Sequence, residues 1–214
     1  MADLPIMLKV SGRRCVVVGG GPVAVRWARS LLDAGADVTV IAPKLDDGFD
    51  DLPVKVECGA YQCDDLEGAL LGVVATNDSA VNQRVAADAK AAGVLVNRAD
   101  EPGVGDFVVP AHRRRGPITV AVSTDGISAA AARALVEQCV GAIDDDWRTL
   151  LDAAEPWRAK IQAQVADDAA RQMLLRQLSD DQAMATLRKR GVDGLAVHYR
   201  AMLEEQAGPS RDAS

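Results

Sequence analysis

The segment Gly19-Gly20-Gly21-Pro22-Val23-Ala24 does most to narrow what this chain can become. It follows the apolar, β-branched run Arg14-Cys15-Val16-Val17-Val18, which reads as a buried parallel strand. It precedes residues 22–34, where Val23, Trp27, Leu31 and Ala34 recur at helical spacing. Strand, glycine turn and helix in that order make Gly19-x-Gly21-x-x-Ala24 a dinucleotide fingerprint. Gly19 permits the tight turn, Gly21 lets the backbone approach a pyrophosphate, and Ala24 allows close helix–strand packing. The helix start offers free N–H groups and a positive dipole end to that anion. Pro22 suits the first turn, where its missing N–H is not needed. A glycine turn with no ligand is the competing reading, and the strand–helix context weighs against it.

The second strand, residues 37–41, ends without the carboxylate that commonly holds the adenosine ribose about 20 residues past such a loop. Ala42, Pro43 and Lys44 stand there instead. Backbone groups at 42–44 can replace the carboxylate, and Lys44 can favour a 2′-phosphate. The loop therefore leaves NAD against NADP open.

The strand–helix alternation continues. Residues 54–57 and 72–76 read as third and fourth strands, 79–92 as a helix ended by Gly93, and 94–97 as a fifth strand. This alternation predicts an α/β fold, a Rossmann-type parallel sheet with helices on both faces. Residues 107–110 and 118–122 read as two more strands, with the polar His112-Arg113-Arg114-Arg115-Gly116 as a turn between them. Residues 128–140 form an Ala-rich helix with Ser128 as N-cap. Beyond residues 141–146 the chain reads as all-helical: Pro156 kinks or restarts a first helix, Ser179-Asp180-Asp181-Gln182 opens another as a capping box, and Gly191 stops that one. Residues 195–206 make a last helix, and 208–214 read as a frayed tail.

Composition fixes the setting. Apolar residues are 49% and charged residues 26% of 214, ordinary for a globular protein, whereas aromatics are only 3%, so Val, Leu, Ile and Ala must build the core. A net charge of -7 argues against sequence-independent nucleic-acid binding. Cys15, Cys58, Cys63 and Cys139 form no CxxC pair and do not cluster with His, so neither a metal site nor a disulfide framework is predicted, and Cys15 reads as a small core hydrophobe. No signal peptide and no membrane-length apolar run is visible, which predicts a cytoplasmic protein.

Several further motifs carry a resemblance. Leu4-Pro5-Ile6, residues 12–21, Ala75-Thr76-Asn77-Asp78 with Val81-Asn82, Val96-Asn97 with Asp100, Phe107-Val108-Val109-Pro110, and Gly116-Pro117-Ile118 through Val122-Ser123-Thr124 are similar to the precorrin-2 dehydrogenase and sirohydrochlorin ferrochelatase family, the N-terminal part of siroheme synthases. The resemblance spans about residues 4–140. It implies a Rossmann domain (1–106), a dimerisation region (107–143), a helical C-terminal domain (144–208) and a tail (209–214). It also implies NAD-dependent oxidation of precorrin-2 to sirohydrochlorin by a homodimer, with ferrous iron as a further substrate where siroheme is made. By that resemblance the cofactor contacts fall on Gly19, Gly21, Pro22, Val23, Pro43, Lys44, Ala75 and Thr76. The catalytic aspartate of the Asn-x-x-Asp pattern is Asp100, acting as base or as orienting group.

Precorrin-2 carries eight carboxylates, so its site needs cations and N–H donors. Arg98, His112 and Arg113 are candidate suppliers, and Ser123, Thr124 and Ser128 precede a helix. Taken alone, the basic run reads more readily as a solvated turn and Asp100 as a turn residue, while the serine–threonine loop reads equally as plain capping. Arg98 stands where the family usually has an apolar residue, Asp125 interrupts a usual Gly-Gly pair, and Ala129 replaces a common proline. The rival reading is a non-enzymatic nucleotide-sensing Rossmann module. Such modules usually carry the acidic residue that is missing after the second strand.

Overall fold

The computed structural model describes residues 3–101 and 103–207. These fall into two compact units. The first holds the described residues up to Val109 together with Asp125–Ile127, and the second holds Pro110–Thr124 with the described residues from Ser128 onward.

The first unit is a five-stranded parallel sheet in the order β3-β2-β1-β4-β5. Its strands are β1 (Arg14–Val18), β2 (Asp37–Ala42), β3 (Lys55–Cys58), β4 (Leu71–Val74) and β5 (Leu95–Arg98), with helices α1 (Pro22–Asp33) and α2 (Ser79–Ala92). This is the predicted doubly wound arrangement, with the order reversing between β1 and β4. Period-two alternation explains the two cores. Cys15 and Val17 face α1 with Val40, Val73, Ala24, Ala28 and Leu31. Val16 and Val18 face the other way with Ile41, Val74, Val85 and Ala89. Ala24 is fully buried, as close helix–strand packing requires. Burial also pushes the Cys15 thiol up to about 11. Asp78 caps α2 by accepting from the Ala80 and Val81 N–H groups. Gly35 (φ +80°) and Gly93 (φ +68°) end the two helices in left-handed geometry, as predicted.

The chain beyond β5 differs from the sequence reading in three places. Residues 107–110 are not a strand. The strands are β6 (Ala111–Arg115) and β7 (Ile118–Val122), an antiparallel hairpin with Arg115 opposite Ile118. The basic run predicted as a turn is therefore β6, and the turn is Gly116-Pro117. Gly116 has φ +58° and proline locks φ negative, which is the sign pattern of the tight turns that join hairpins. Pro110 has no N–H to give a ladder, and exposed arginines conceal a strand from any hydrophobic pattern. Phe107 instead meets Trp27 edge-on in the first unit, with ring centroids 6.4 Å apart.

The second difference is Pro156, which lies inside one continuous helix. The helices here are α3 (Ala129–Gly141), α4 (Asp145–Gln164), α5 (Asp168–Gln177) and α6 (Asp181–Ala207). Pro156 sits within α4, where Leu150, Ala154 and Ile161 are buried on both sides of it, so packing outweighs the lost hydrogen bond. The break comes at Val165, before α5. The third difference is the cap of α6. Asp180, not Ser179, accepts from the Ala183 N–H at 2.8 Å. The stop at Gly191 does appear, with φ +68° and ψ -170° breaking α6 into two helical segments. Ser128 caps α3 as predicted, accepting from the Ala131 N–H. Leu150, Ile161, Leu174, Leu178, Leu187, Leu195 and Tyr199 form the helical core.

Candidate functional site

The loop after β1 is clasped from both sides. Gly19 donates to the Ile41 carbonyl at 2.9 Å, and the Gly20 carbonyl accepts from the Asp46 N–H at 2.7 Å. A methyl group added at Gly19 (φ +131°) would lie 2.4 Å from the Ala75 carbonyl oxygen, and one added at Gly20 would lie 2.0 Å from that of Lys44. At Gly21 the same methyl meets nothing within 4 Å. Gly21 is the N-cap residue of α1, yet no side chain caps that helix and its first turn holds no acidic residue. The N–H groups of Val23 and Ala24, ahead of the Val25 N–H that donates to the Gly21 carbonyl at 3.1 Å, therefore stand at an uncrowded helix start beside positive dipole. That cradle fits the pyrophosphate of a dinucleotide.

The other cofactor candidates gather at the same strand ends. Pro43 and Lys44 follow β2 directly and are exposed; Ala75 and Thr76 follow β4. Ala75 donates to the Val18 carbonyl at 2.8 Å, which holds the exit of β4 against β1. The Thr76 hydroxyl donates to Asn82 Oδ1 at 2.5 Å, and Asn82 Nδ2 donates to the Thr76 carbonyl at 3.0 Å. Asn82, on α2, is buried.

Asp100 lies two residues past β5, in a loop closed at its base. Val96 donates to the Asp106 carboxylate at 2.9 Å, Asp106 donates back to the Val96 carbonyl at 2.7 Å, and Asn97 Nδ2 donates to the Phe107 carbonyl at 2.8 Å. Gly105 makes the close approach possible: an added methyl would lie 2.7 Å from the Val96 carbonyl oxygen. Within this loop Arg98 Nε and Nη2 donate to the two oxygens of Asp100 at 3.1 and 2.7 Å. Arg98 also pairs with Glu101 at 3.1 Å. Hydrogen bonding from Arg98, aided by Asn82 and opposed by burial, holds the Asp100 carboxyl below the usual carboxylate range.

The substrate candidates divide between the units: Arg98 is in the first; His112, Arg113, Ser123, Thr124 and Ser128 are in the second. As neighbours on a strand, His112 and Arg113 point to opposite faces of the hairpin. Arg113 pairs with Glu137 of α3 at 2.9 Å, with both side chains more than half exposed, and Arg115 pairs with Asp145. Thr124 Oγ1 accepts from the Ser128 N–H at 3.1 Å, so the loop before α3 is tied to its own cap. Sequence reasoning did not single out Gly20, Asn82 or Asp106 as site-building residues. Only the polar pair Thr76 and Asn82, six apart around a helix start, offered a signal.

No helix among the described residues is long and apolar enough to cross a membrane, and no group of three or more His, Cys, Asp or Glu among them is placed to hold a metal ion. A family model for NAD(P)-binding domains matches residues 6–111. The siroheme synthase of Nitrosococcus oceani is 38% identical over 177 residues, covering 81% of this chain and 38% of that protein. The siroheme synthase of Chromobacterium violaceum is 38% identical over 175 residues, 80% of this chain and 37% of its own length. The chain thus spans less than two fifths of these relatives. A solved structure of SirC, a precorrin-2 dehydrogenase, superimposes with a TM-score of 0.73 at 27% identity, covering 93% of this chain and 100% of that one. The glycine cradle, the strand order and a full-length structural counterpart agree, and the chain belongs to the precorrin-2 dehydrogenase family that also forms part of the siroheme synthases.

Proposed function

We propose that this chain oxidises precorrin-2 to sirohydrochlorin with NAD, acting as a homodimer. The observation that carries the reading is the full-length likeness to a precorrin-2 dehydrogenase, on a sheet whose glycine cradle and Asp100 stand at the same strand ends. When bound, the nicotinamide supplies a two-electron acceptor for hydride. The chain supplies the rest. The N–H groups of Val23 and Ala24 hold the pyrophosphate at Gly19 and Gly21, with Pro22 setting the helix start. Pro43 and Lys44 flank the adenosine end, and Ala75 and Thr76 the strand end next to Asp100. Removing a hydride from a reduced tetrapyrrole leaves positive charge on it, and a proton must then depart. Asp100, an ionised carboxylate, orients that step or accepts the proton. Arg113, His112, Ser123, Thr124 and Ser128 meet the substrate's carboxylates, and the weak exposed pair Arg113–Glu137 is easily exchanged for a substrate pair.

The test is incubation with precorrin-2 and NAD, followed by absorbance for sirohydrochlorin and then by added ferrous iron, which enters as substrate. Asp100→Asn, which keeps an acceptor oxygen for the buried Arg98, is expected to hold the fold and NAD binding and to lose about 10²–10⁴-fold in oxidation rate. A wild-type rate in that variant makes Asp100 a turn residue only. A wild type that binds NAD but oxidises no precorrin-2 returns the chain to the nucleotide-sensing reading.

A further inference from the structure

Arg98 is the last residue of β5, in register with Val74, and it is buried at 7% exposure. A guanidinium removed from water needs partners for its donors. It finds them two residues on, where the chain leaves the strand and Asp100 projects to the same side. Nε takes one carboxylate oxygen and Nη2 the other, the two-point geometry that matches a guanidinium fork to a carboxylate. The groups facing the Asp100 carboxyl are Arg98 from its own loop and the uncharged Asn82 from α2, while Glu101 acts through Arg98. The same Asn82 amide bonds Thr76, so Asp100 is referenced to the end of β4 as well as to β5.

We propose that Arg98 is a positioning residue: by engaging both oxygens of Asp100 it fixes the direction of that carboxylate. The inference rests on the reading of Asp100 as the reactive group. It also reassigns Arg98, which the sequence offered as a ligand for substrate. Its donors point at Asp100 and Glu101, and it serves the substrate only through Asp100.

The sign of the pH effect follows from the pairing. A carboxyl held below its ordinary range by Arg98 gains a proton only in stronger acid, so activity that needs the anion persists further as pH falls. Without Arg98 the carboxyl rises, and the acid limb of the rate profile moves to higher pH. Lysine restores a positive charge but not the planar fork. Arg98→Lys should therefore recover much of the pH limb while leaving the carboxylate misdirected. Arg98→Met should lose both, and a misplaced group of this kind costs about 10²-fold in kcat.

The experiment is carboxyl-carbon NMR titration of the full chain, with the Asp100 signal assigned by its loss in Asp100→Asn, in wild type, Arg98→Met and Arg98→Lys. The pH profiles of kcat/KM are recorded alongside. The expected result is an Asp100 signal titrating below the ordinary aspartate range in wild type, displaced upward in Arg98→Met and less so in Arg98→Lys, with the acid limb moving in step. An Asp100 that titrates in the ordinary range in wild type overturns the proposal even if Arg98→Met fails to fold. So does an acid limb that stays in place in a folded Arg98→Met. A wild type with the displaced signal that oxidises no precorrin-2 overturns the reading of the reaction instead, and leaves the clamp on Asp100 supported.

Discussion

Gly20 and Gly21 are neighbours with opposite surroundings, and the difference is measurable. A methyl group at Gly20 collides with the Lys44 carbonyl, so Gly20→Ala must displace the exit of β2. Overpacking of this kind costs roughly 1–3 kcal/mol, and a lowered Tm checks it. Gly21 faces open space, so Gly21→Asp should melt like wild type. Its carboxylate would nonetheless stand where the pyrophosphate lies, and calorimetry should show NAD affinity at least about tenfold weaker, or about 1.4 kcal/mol. Unchanged affinity would remove the cradle from the cofactor site. The fingerprint showed Gly19 and Gly21 plainly, because their spacing is local. Gly20 was not legible, because its constraint comes from a carbonyl that reaches it only when β2 pairs with β1. Arg98 is a related case. A cation near a strand end suggests an anionic ligand, and only the turn after β5 brings Asp100 and Glu101 against its donors.

Elements whose signal was hydrophobic periodicity were read to within a residue or two, as β1, β2, β4 and α2 show. Elements whose signal was overridden were not. β6 carries three arginines in a row and is defined by its pairing with β7, which no local pattern reveals. Pro156 predicts a break that packing on either side of it overcomes. Asp180 displaces Ser179 as a cap because a carboxylate there also meets the helix dipole. Gly191 is the reverse case, a local signal that held. Its φ of +68° with ψ near 180° is a conformation that side chains resist. Gly191→Ala should cost about 1–3 kcal/mol, read as a lowered Tm with the helical signal in circular dichroism retained. A variant that melts like wild type would mean that α6 can run straight through.

On the scale of the whole molecule, the parallel sheet with helices on both faces was legible, because strand–helix alternation admits few topologies, whereas the order of its strands was not. The assembly is a matter for solution. β6 and β7 form a sheet of only two strands, backed by α3, on which Leu135 is an exposed apolar side chain. α3 can cover only one face of that hairpin, and a second copy is the cover that the proposed homodimer supplies to the other. Light scattering at micromolar concentration should give about 45 kDa, twice the 22.5 kDa of one chain. A monomeric mass contradicts the dimer and with it the assignment of residues 107–143 to dimerisation.

The strand order also sets a schedule for the nascent chain. β1 is made first and ends in the middle of the sheet, with β2 on one side and β4 on the other. About 50 residues separate it from β4. At about 5–20 residues per second, the ribosome takes roughly 3–10 s to deliver that partner. Through that interval the apolar edge of β1 has β2 on one flank and nothing on the other, a template for a neighbouring chain on the same message. Synthesis thus leaves one flank of β1 open until β4 emerges, and a chaperone that shields Cys15–Val18 through that interval would protect the step on which the rest of the sheet depends.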